Sequence, residues 1–357
     1  MSIKDSILSH SNQFNYYKEE TEKLKDENEK LKKKNDKLKN ESKRIKEELE
    51  NSKQFENGIS IIIPTYKGEN HIHPLLDSLE KQTLSPELYE IIFVINGEPD
   101  STMDILIEFI DRNPEKNVIL TYTPKLGVCN ARNIGIRLAN REYTTFSDDD
   151  DFISENYLEK LYEHSRPNRI VMTNYIYVND ETKEELESYL DQYPMDEYGI
   201  IKKAPVKCFQ VAAKTPAKSI PTYATKSVQF NTDFTTGEDV TYYGYLYSKF
   251  DFEFYFIDEK ENVNFYIVKR KDSASRKEMT YQFNVIDRFE VITDLNNALN
   301  EAKEEKYKKF IKIGIEGQSG FIKRYLEKNP NEKERVCEDM KKYSFSHFPY
   351  DFVFNSE

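Results

Sequence analysis

Between residues 58 and 146, short apolar β-branched runs alternate with stretches of helical periodicity, and this alternation restricts the fold more than any other feature of the chain. Ile59-Ser60-Ile61-Ile62-Ile63 ends at Pro64 and reads as a strand buried on both faces, as in parallel sheets. Ile72, Leu75, Leu76 and Leu79 then share one helical face, residues 89–95 form a second buried strand stopped by Asn96-Gly97, and residues 103–110 return to helix. A third strand over 118–122, a helix over 127–138 and a fourth strand over 143–146 complete the pattern. Strands and helices in this order imply right-handed crossovers and an α/β fold, a mainly parallel sheet with helices on both faces. Ligands of such sheets bind at the carboxyl ends of the strands.

The flanks differ. Residues 14–52 are rich in Lys, Glu and Asn, contain no Gly or Pro, and space Leu24, Leu31, Leu38 and Ile45 seven apart. Taking these as d places Phe14, Thr21, Asn28, Asn35, Ser42 and Leu49 at a, where Asn selects register and low oligomer number, so a coiled-coil homodimer is expected. A solvated single helix or a disordered tail is the alternative. After Ser154, an N-cap, residues 155–165 read as helix and 169–178 as strand, whereas 180–230 are irregular, broken by Pro194, Pro205, Pro216 and Pro221, and placed to cover a substrate. Residues 242–256 pass from helix to strand, 265–268 form a short strand, and 281–343 are helical. The expected division is a coiled-coil helix over 1–55, a catalytic domain over 56–278 and a C-terminal helical domain over 279–357.

A net charge of -12 argues against nucleic acid as a partner, and three dispersed cysteines with five histidines do not form a zinc site. No apolar run reaches the roughly 20 residues of a membrane span, and the first residues lack a signal-peptide pattern. A cytoplasmic location is expected, with peripheral attachment at the inner face of a membrane left open.

Asp148-Asp149-Asp150-Asp151 follows the fourth strand directly, and four adjacent carboxylates repel unless a cation offsets them. If the strand continued, Asp148 and Asp150 would point together and Asp149 would face solvent as a spacer. Paired carboxylates suit a hard divalent ion, Mg²⁺ or Mn²⁺, that takes its other ligands from water and phosphates. The competing reading is a solvated turn capping the next helix.

Residues 61–66, 127–135, 146–151 and 237–239 resemble, in order, the motifs of a family 2 glycosyltransferase with the GT-A fold, over about residues 57–275. The resemblance implies that Asp148 and Asp150 bind the metal of a nucleotide-sugar diphosphate, with Asp151 in support. It places Pro64, Thr65, Tyr66, Glu69, Asn96, Arg132, Asp148, Asp149, Arg270 and Ser273 against the donor, with Lys269 and Ser275 in the same basic segment. Glu238 and Asp239 match the acidic pair near the acceptor, with Asp239 as general base. Packing is the alternative for Tyr66, a salt bridge to the acidic run for Arg132, and helix capping for Glu238 and Asp239. Two departures stand out: Ile95-Asn96 replaces an acidic pair that reads the donor base, and no His stands in the segment just after Val263, where some relatives supply a further metal ligand. The expected function is an inverting, metal-dependent transfer from a nucleotide-diphospho-sugar, UDP-linked first, to a hydroxyl of a glycan or cell-surface polysaccharide. Transfer to a protein or peptide side chain, or a non-catalytic coiled-coil scaffold, are the alternatives.

Overall fold

The computed structural model describes residues 54–354 apart from 183, 187–197 and 271–278, together with part of the segment 23–50. The chain divides into one unit up to Asn51 and another from Ser52. In the first, the described residues are helical and exposed. Of the heptad positions only Leu31 and Asn35 fall among them, so the expected coiled-coil seam lies mostly outside the described residues.

The second unit opens as the alternation requires: β1 (Glu56–Thr65), α1 (His73–Glu80), β2 (Tyr89–Asn96), α2 (Thr102–Arg112), β3 (Asn117–Thr123), α3 (Val128–Leu138) and β4 (Arg141–Phe146). It continues through β5 (Phe152–Ile153), α4 (Tyr157–His164), β6 (Arg169–Met172), β7 (Asn174–Asn179), β8 (Glu185–Leu186), β9 (Gly199–Ile200) and β10 (Lys218–Pro221). Helix α5 (Glu238–Lys249), β11 (Glu253–Phe256) and β12 (Asn264–Lys269) follow, then α6 (Asp287–Glu301), α7 (Glu305–Lys328) and α8 (Lys333–Met340). Eight strands form one sheet in the order β3-β2-β1-β4-β10-β6-β11-β9, and four form a smaller one, β5-β12-β7-β8.

Strands β1 to β4 are all parallel, with Ile61 opposite Ile91 on one side and Thr145 on the other. Their carboxyl ends therefore share one edge, at Thr65, Asn96, Thr123 and Phe146. Alternate residues of β1 serve two cores: Ile61 and Ile63 pack with α1, α2 and α4, while Ile62 packs with α3 and the later helices. Helix α3 lies so close to β1 that a methyl at Gly135 would sit 2.3 Å from Ile62 Cγ2. Among the described residues, no helix is long and apolar enough to cross a membrane.

Beyond β4 two expectations change. The single strand read over 169–178 is two strands, because the backbone at Thr173 leaves the large sheet for the small one, its N–H bonding Ala217 O and its hydroxyl Val263 O. The stretch 180–230 is not wholly irregular. Its four-residue β10 runs antiparallel between β4 and β6 and is fully buried, although it carries a lysine and a proline. Helices α6 and α7 pack on α5 and share its core, where Leu295, Ile311 and Ile315 meet Val240 and Tyr243.

Candidate functional site

Asp148 to Asp151 leave the end of β4 as a turn, not as a continued strand, so the alternation expected of their side chains is replaced by divergence, each to its own partners. Asp148 Oδ1 accepts from Arg132 Nη2 at 2.9 Å. Asp149 Oδ2 accepts from the Thr65 hydroxyl at 2.6 Å and the Tyr66 N–H at 3.1 Å, and its Oδ1 lies 3.3 Å from His71 Nε2. Asp149 is thus no solvent-facing spacer; it ties the loop after β1 to the acidic turn. Asp150 pairs with Arg270, whose Nη1 also lies 3.1 Å from His71 Nδ1. Asp151 is buried and accepts the Val268 N–H of β12 at 2.9 Å, which joins the small sheet to the turn.

Arg132 is the centre of this arrangement. It sits one turn into α3, its side chain 4% exposed, beside the ring of Phe230 at 5.4 Å. One guanidinium nitrogen holds Asp148; the other lies 3.1 Å from Asp239 Oδ1 and 3.6 Å from Glu238 Oε1. Burial alone would disfavour its charge, but Asp148, Asp239 and Glu238 outweigh that and raise its pKa. The salt bridge from Arg132 to the acidic run, expected as one alternative, is present.

Glu238 and Asp239 open α5 after Gly237, which has φ 73°, a conformation that disfavours any side chain. Asp239 also accepts the Thr215 N–H at 3.1 Å and the Thr215 hydroxyl. Burial raises the pKa of Glu238, Asp239 adds to the rise, and Arg132 offsets part of it. On the other side of Arg132, burial and then Asp148 raise Asp150 against the pull of Arg270, and burial followed by Asp150 and Asp148 lifts Asp151 well above the usual range.

The remaining expected residues separate into those that join the site and those that brace it. Pro64 and Thr65 end β1 at the site, and Tyr66 lies at its rim, 38% exposed. Glu69 turns away, its Oε2 accepting the Ser101 N–H at 3.3 Å near the start of α2. Asn96 is 3% exposed and uses both ends of its amide as a brace, donating to Thr65 O and accepting from Gly127 N, each at 2.9 Å. Ser273 lies outside the described residues, as does Ser275; Lys269 places its Nζ 4.1 Å above the Tyr177 ring. Three contributors were not anticipated: His71, Thr215 and Lys218. The last is fully buried, donates to Val211 O and Ala212 O at 2.8 Å each, and has its pKa drawn well down by burial. His71 had a signal, being a loop residue after a site strand; Thr215 and Lys218 fall in the stretch without pattern.

The sequence profile of Glycosyl transferase family 2 matches residues 60–214. Residues 60–214 are thus similar to a family 2 glycosyltransferase domain. Among curated relatives, the poly(ribitol-phosphate) beta-glucosyltransferase of Bacillus spizizenii is 40% identical over 116 residues, 32% of this chain and 18% of that protein. The uncharacterized glycosyltransferase EpsJ of Bacillus subtilis is 37% identical over 112 residues, 31% of each chain. The alignments therefore span less than half of either relative. The chain has solved counterparts in fold: S. aureus TarS 1-349 in complex with UDP (TM-score 0.57, 19% identity, 76% of this chain and 72% of that one). The mannosyltransferase PcManGT from Pyrobaculum calidifontis, in complex with GDP-Man and Mn²⁺, is similar at TM-score 0.55 and 12% identity, over 81% of this chain and 79% of that one. These likenesses establish a GT-A fold.

Proposed function

We propose that the chain is an inverting, metal-dependent glycosyltransferase that moves a sugar from a nucleotide-diphospho-sugar, UDP-linked, to a hydroxyl of a glycan or cell-surface polysaccharide. The observation that carries this reading is the Arg132 bridge. One buried guanidinium holds Asp148 of the acidic turn at 2.9 Å and Asp239 of α5 at 3.1 Å, so a donor carboxylate and a candidate base flank the same point. Curated relatives named as glycosyltransferases, one of them acting on poly(ribitol-phosphate), support the substrate class, and the UDP complex of TarS supports the donor.

In this mechanism Asp239 takes the proton of the acceptor hydroxyl while the hydroxyl oxygen bonds to the anomeric carbon. The bond to the diphosphate breaks on the opposite face, its electron pair leaving with the nucleotide, and the anomeric centre inverts. Among the described residues no group of three or more His, Cys, Asp or Glu is arranged to hold a metal. Asp148 and Asp150 nevertheless fit one that completes its shell elsewhere: the second oxygen of each takes no hydrogen bond among the described residues, and burial with mutual repulsion raises Asp150. A divalent ion there, Mn²⁺ or Mg²⁺, supplies Lewis-acid neutralisation of the charge that develops on the diphosphate. Arg132 and Arg270 add cations on either side of the same turn, and Thr65 with Asp149 fixes the loop that faces the nucleotide.

Incubation with Mn²⁺ and a panel of nucleotide sugars should release nucleoside diphosphate, and Asp150→Ala and Asp239→Ala should lower the rate by about 10²–10⁴-fold. Full activity in both variants would overturn the roles. Calorimetric binding of UDP without turnover would favour the scaffold instead. We further propose that residues 14–52 pair two chains, which would hold two sites against one polymer. Sedimentation of residues 54–357 beside the full chain checks this, and equal oligomer states would end it.

A further inference from the structure

Asp239 also lines a cleft of about 220 Å³ whose lining includes none of the four aspartates of the acidic turn. One wall contains Lys214, Gly237 and Asp239; the other is the face of α7 that carries Gly314, Gly317 and Gln318. We propose that this cleft is the acceptor subsite, that it takes one polyhydroxylated residue of a linear acceptor, and that α7, outside the family match, sets its size. The proposal rests on the transferase reading.

Three features support a built site. The cleft ends on the candidate base and is smaller than the roughly 300–1,000 Å³ of pockets for larger ligands, which suits a single sugar or polyol unit. Its walls are fixed by close packing. A methyl at Gly314 would lie 2.8 Å from Val240 Cγ2, one at Gly237 2.9 Å from Val291 Cγ1, and the rings of Phe209 and Phe310 are 4.9 Å apart. Gly317 is the opposite case, because a methyl there meets nothing within 4 Å, so a side chain at this point has free space to occupy.

The third feature is Gln318. Its Oε1 accepts from Arg288 Nη1 at 2.7 Å, and Arg288 is 1% exposed, held between the rings of Phe283 and Phe321 at 4.4 and 3.9 Å. A buried arginine that grips the carbonyl end fixes the carboxamide and keeps its NH₂ as a donor. That NH₂ makes no hydrogen bond among the described residues, and a hydroxyl in the cleft would accept it.

Saturation-transfer NMR on the full chain with UDP and Mn²⁺ tests the assignment, using ribitol 5-phosphate and methyl β-glucoside as probes. The wild type should show signals from UDP and from at least one probe. Gly317→Phe should keep the UDP signals and lose those of the probe, with its unfolding temperature unchanged or higher. Gln318→Ala should weaken probe binding by about three- to tenfold, the worth of one hydrogen bond. UDP signals with no probe signal in the wild type, or a probe signal that survives Gly317→Phe, would overturn the subsite. Absence of UDP signals in the wild type would count against the transferase reading itself.

Discussion

The two sides of Arg132 are built by different means. On the side proposed for the donor, Thr65, Tyr66 and the four aspartates stand at the carboxyl ends of β1 and β4, adjacent parallel strands within a hundred residues of sequence. On the side proposed for the acceptor, Thr215, Glu238, Asp239 and the face of α7 come from three separated stretches joined by antiparallel pairing and helix packing. The donor side is therefore a property of the sheet, and the acceptor side a property of what is packed around it. Sheet topology fixes the first early; the second is free to differ in shape while the chemistry beside it stays.

Arg132 joins the two, and removing it should have the largest effect. Arg132→Ala leaves Asp148, Glu238 and Asp239 without the cation that holds them, and loss of one partner from a buried ion cluster costs about 3–5 kcal/mol. The urea midpoint should fall accordingly. A loss below about 1 kcal/mol, the worth of an exposed pair, would mean that the two sides stand independently.

A smaller contrast comes from two glycines. Gly135→Ala on the donor side forces a methyl to 2.3 Å from Ile62 on the central strand and should destabilise by about 1–3 kcal/mol through overpacking. Gly317→Ala on α7 meets open space in a helix interior and should stabilise by about 0.5–1 kcal/mol. Thermal unfolding of both variants reads the difference in sign. If both destabilised, the α7 face would be packed and no cleft would exist there.

The same contrast governs what the sequence revealed. The alternation over residues 58–146 specified four parallel strands, and with them the edge where the acidic run lies, because both periodicities are local and strong. The direction of the individual aspartates was not legible. It depends on whether the chain continues as strand or turns after Phe146, and a two-residue difference in strand length decides that. Asn96 looked like a donor contact from its place at the end of β2, but its amide is consumed by two backbone groups that only the fold brings to it. Lys218 was invisible, since a four-residue strand containing Lys and Pro has no pattern and gains its place from its neighbours β4 and β6, and Thr215 lies in the unpatterned residues just before that strand. The helices after residue 280 were read correctly as helices, yet their part in the site could not be. That follows from Gly237 and Gly314, which accept close contact from Val291 of α6 and Val240 of α5.

The smallest effect expected is a pH slope, and it too distinguishes the sides. Asp151 and Glu238 both have folded-state pKa values raised by burial, Asp151 the more strongly. Between the ordinary carboxylate pKa of about 4 and each raised value, the folded state keeps a proton that the unfolded state has lost. Stability then falls as pH rises through that window, and no penalty remains below it. Asp151→Asn should remove the larger part of the slope, because its amide oxygen still accepts the Val268 N–H while carrying no charge. Glu238→Gln should remove a smaller part, since Arg132 already offsets some of the cost. Urea unfolding of the three proteins at a series of pH values, in chelator to keep metal from the carboxylates, measures both slopes. A Glu238→Gln slope flatter than that of Asp151→Asn would place the greater electrostatic burden on the acceptor side and reverse the ranking of the two.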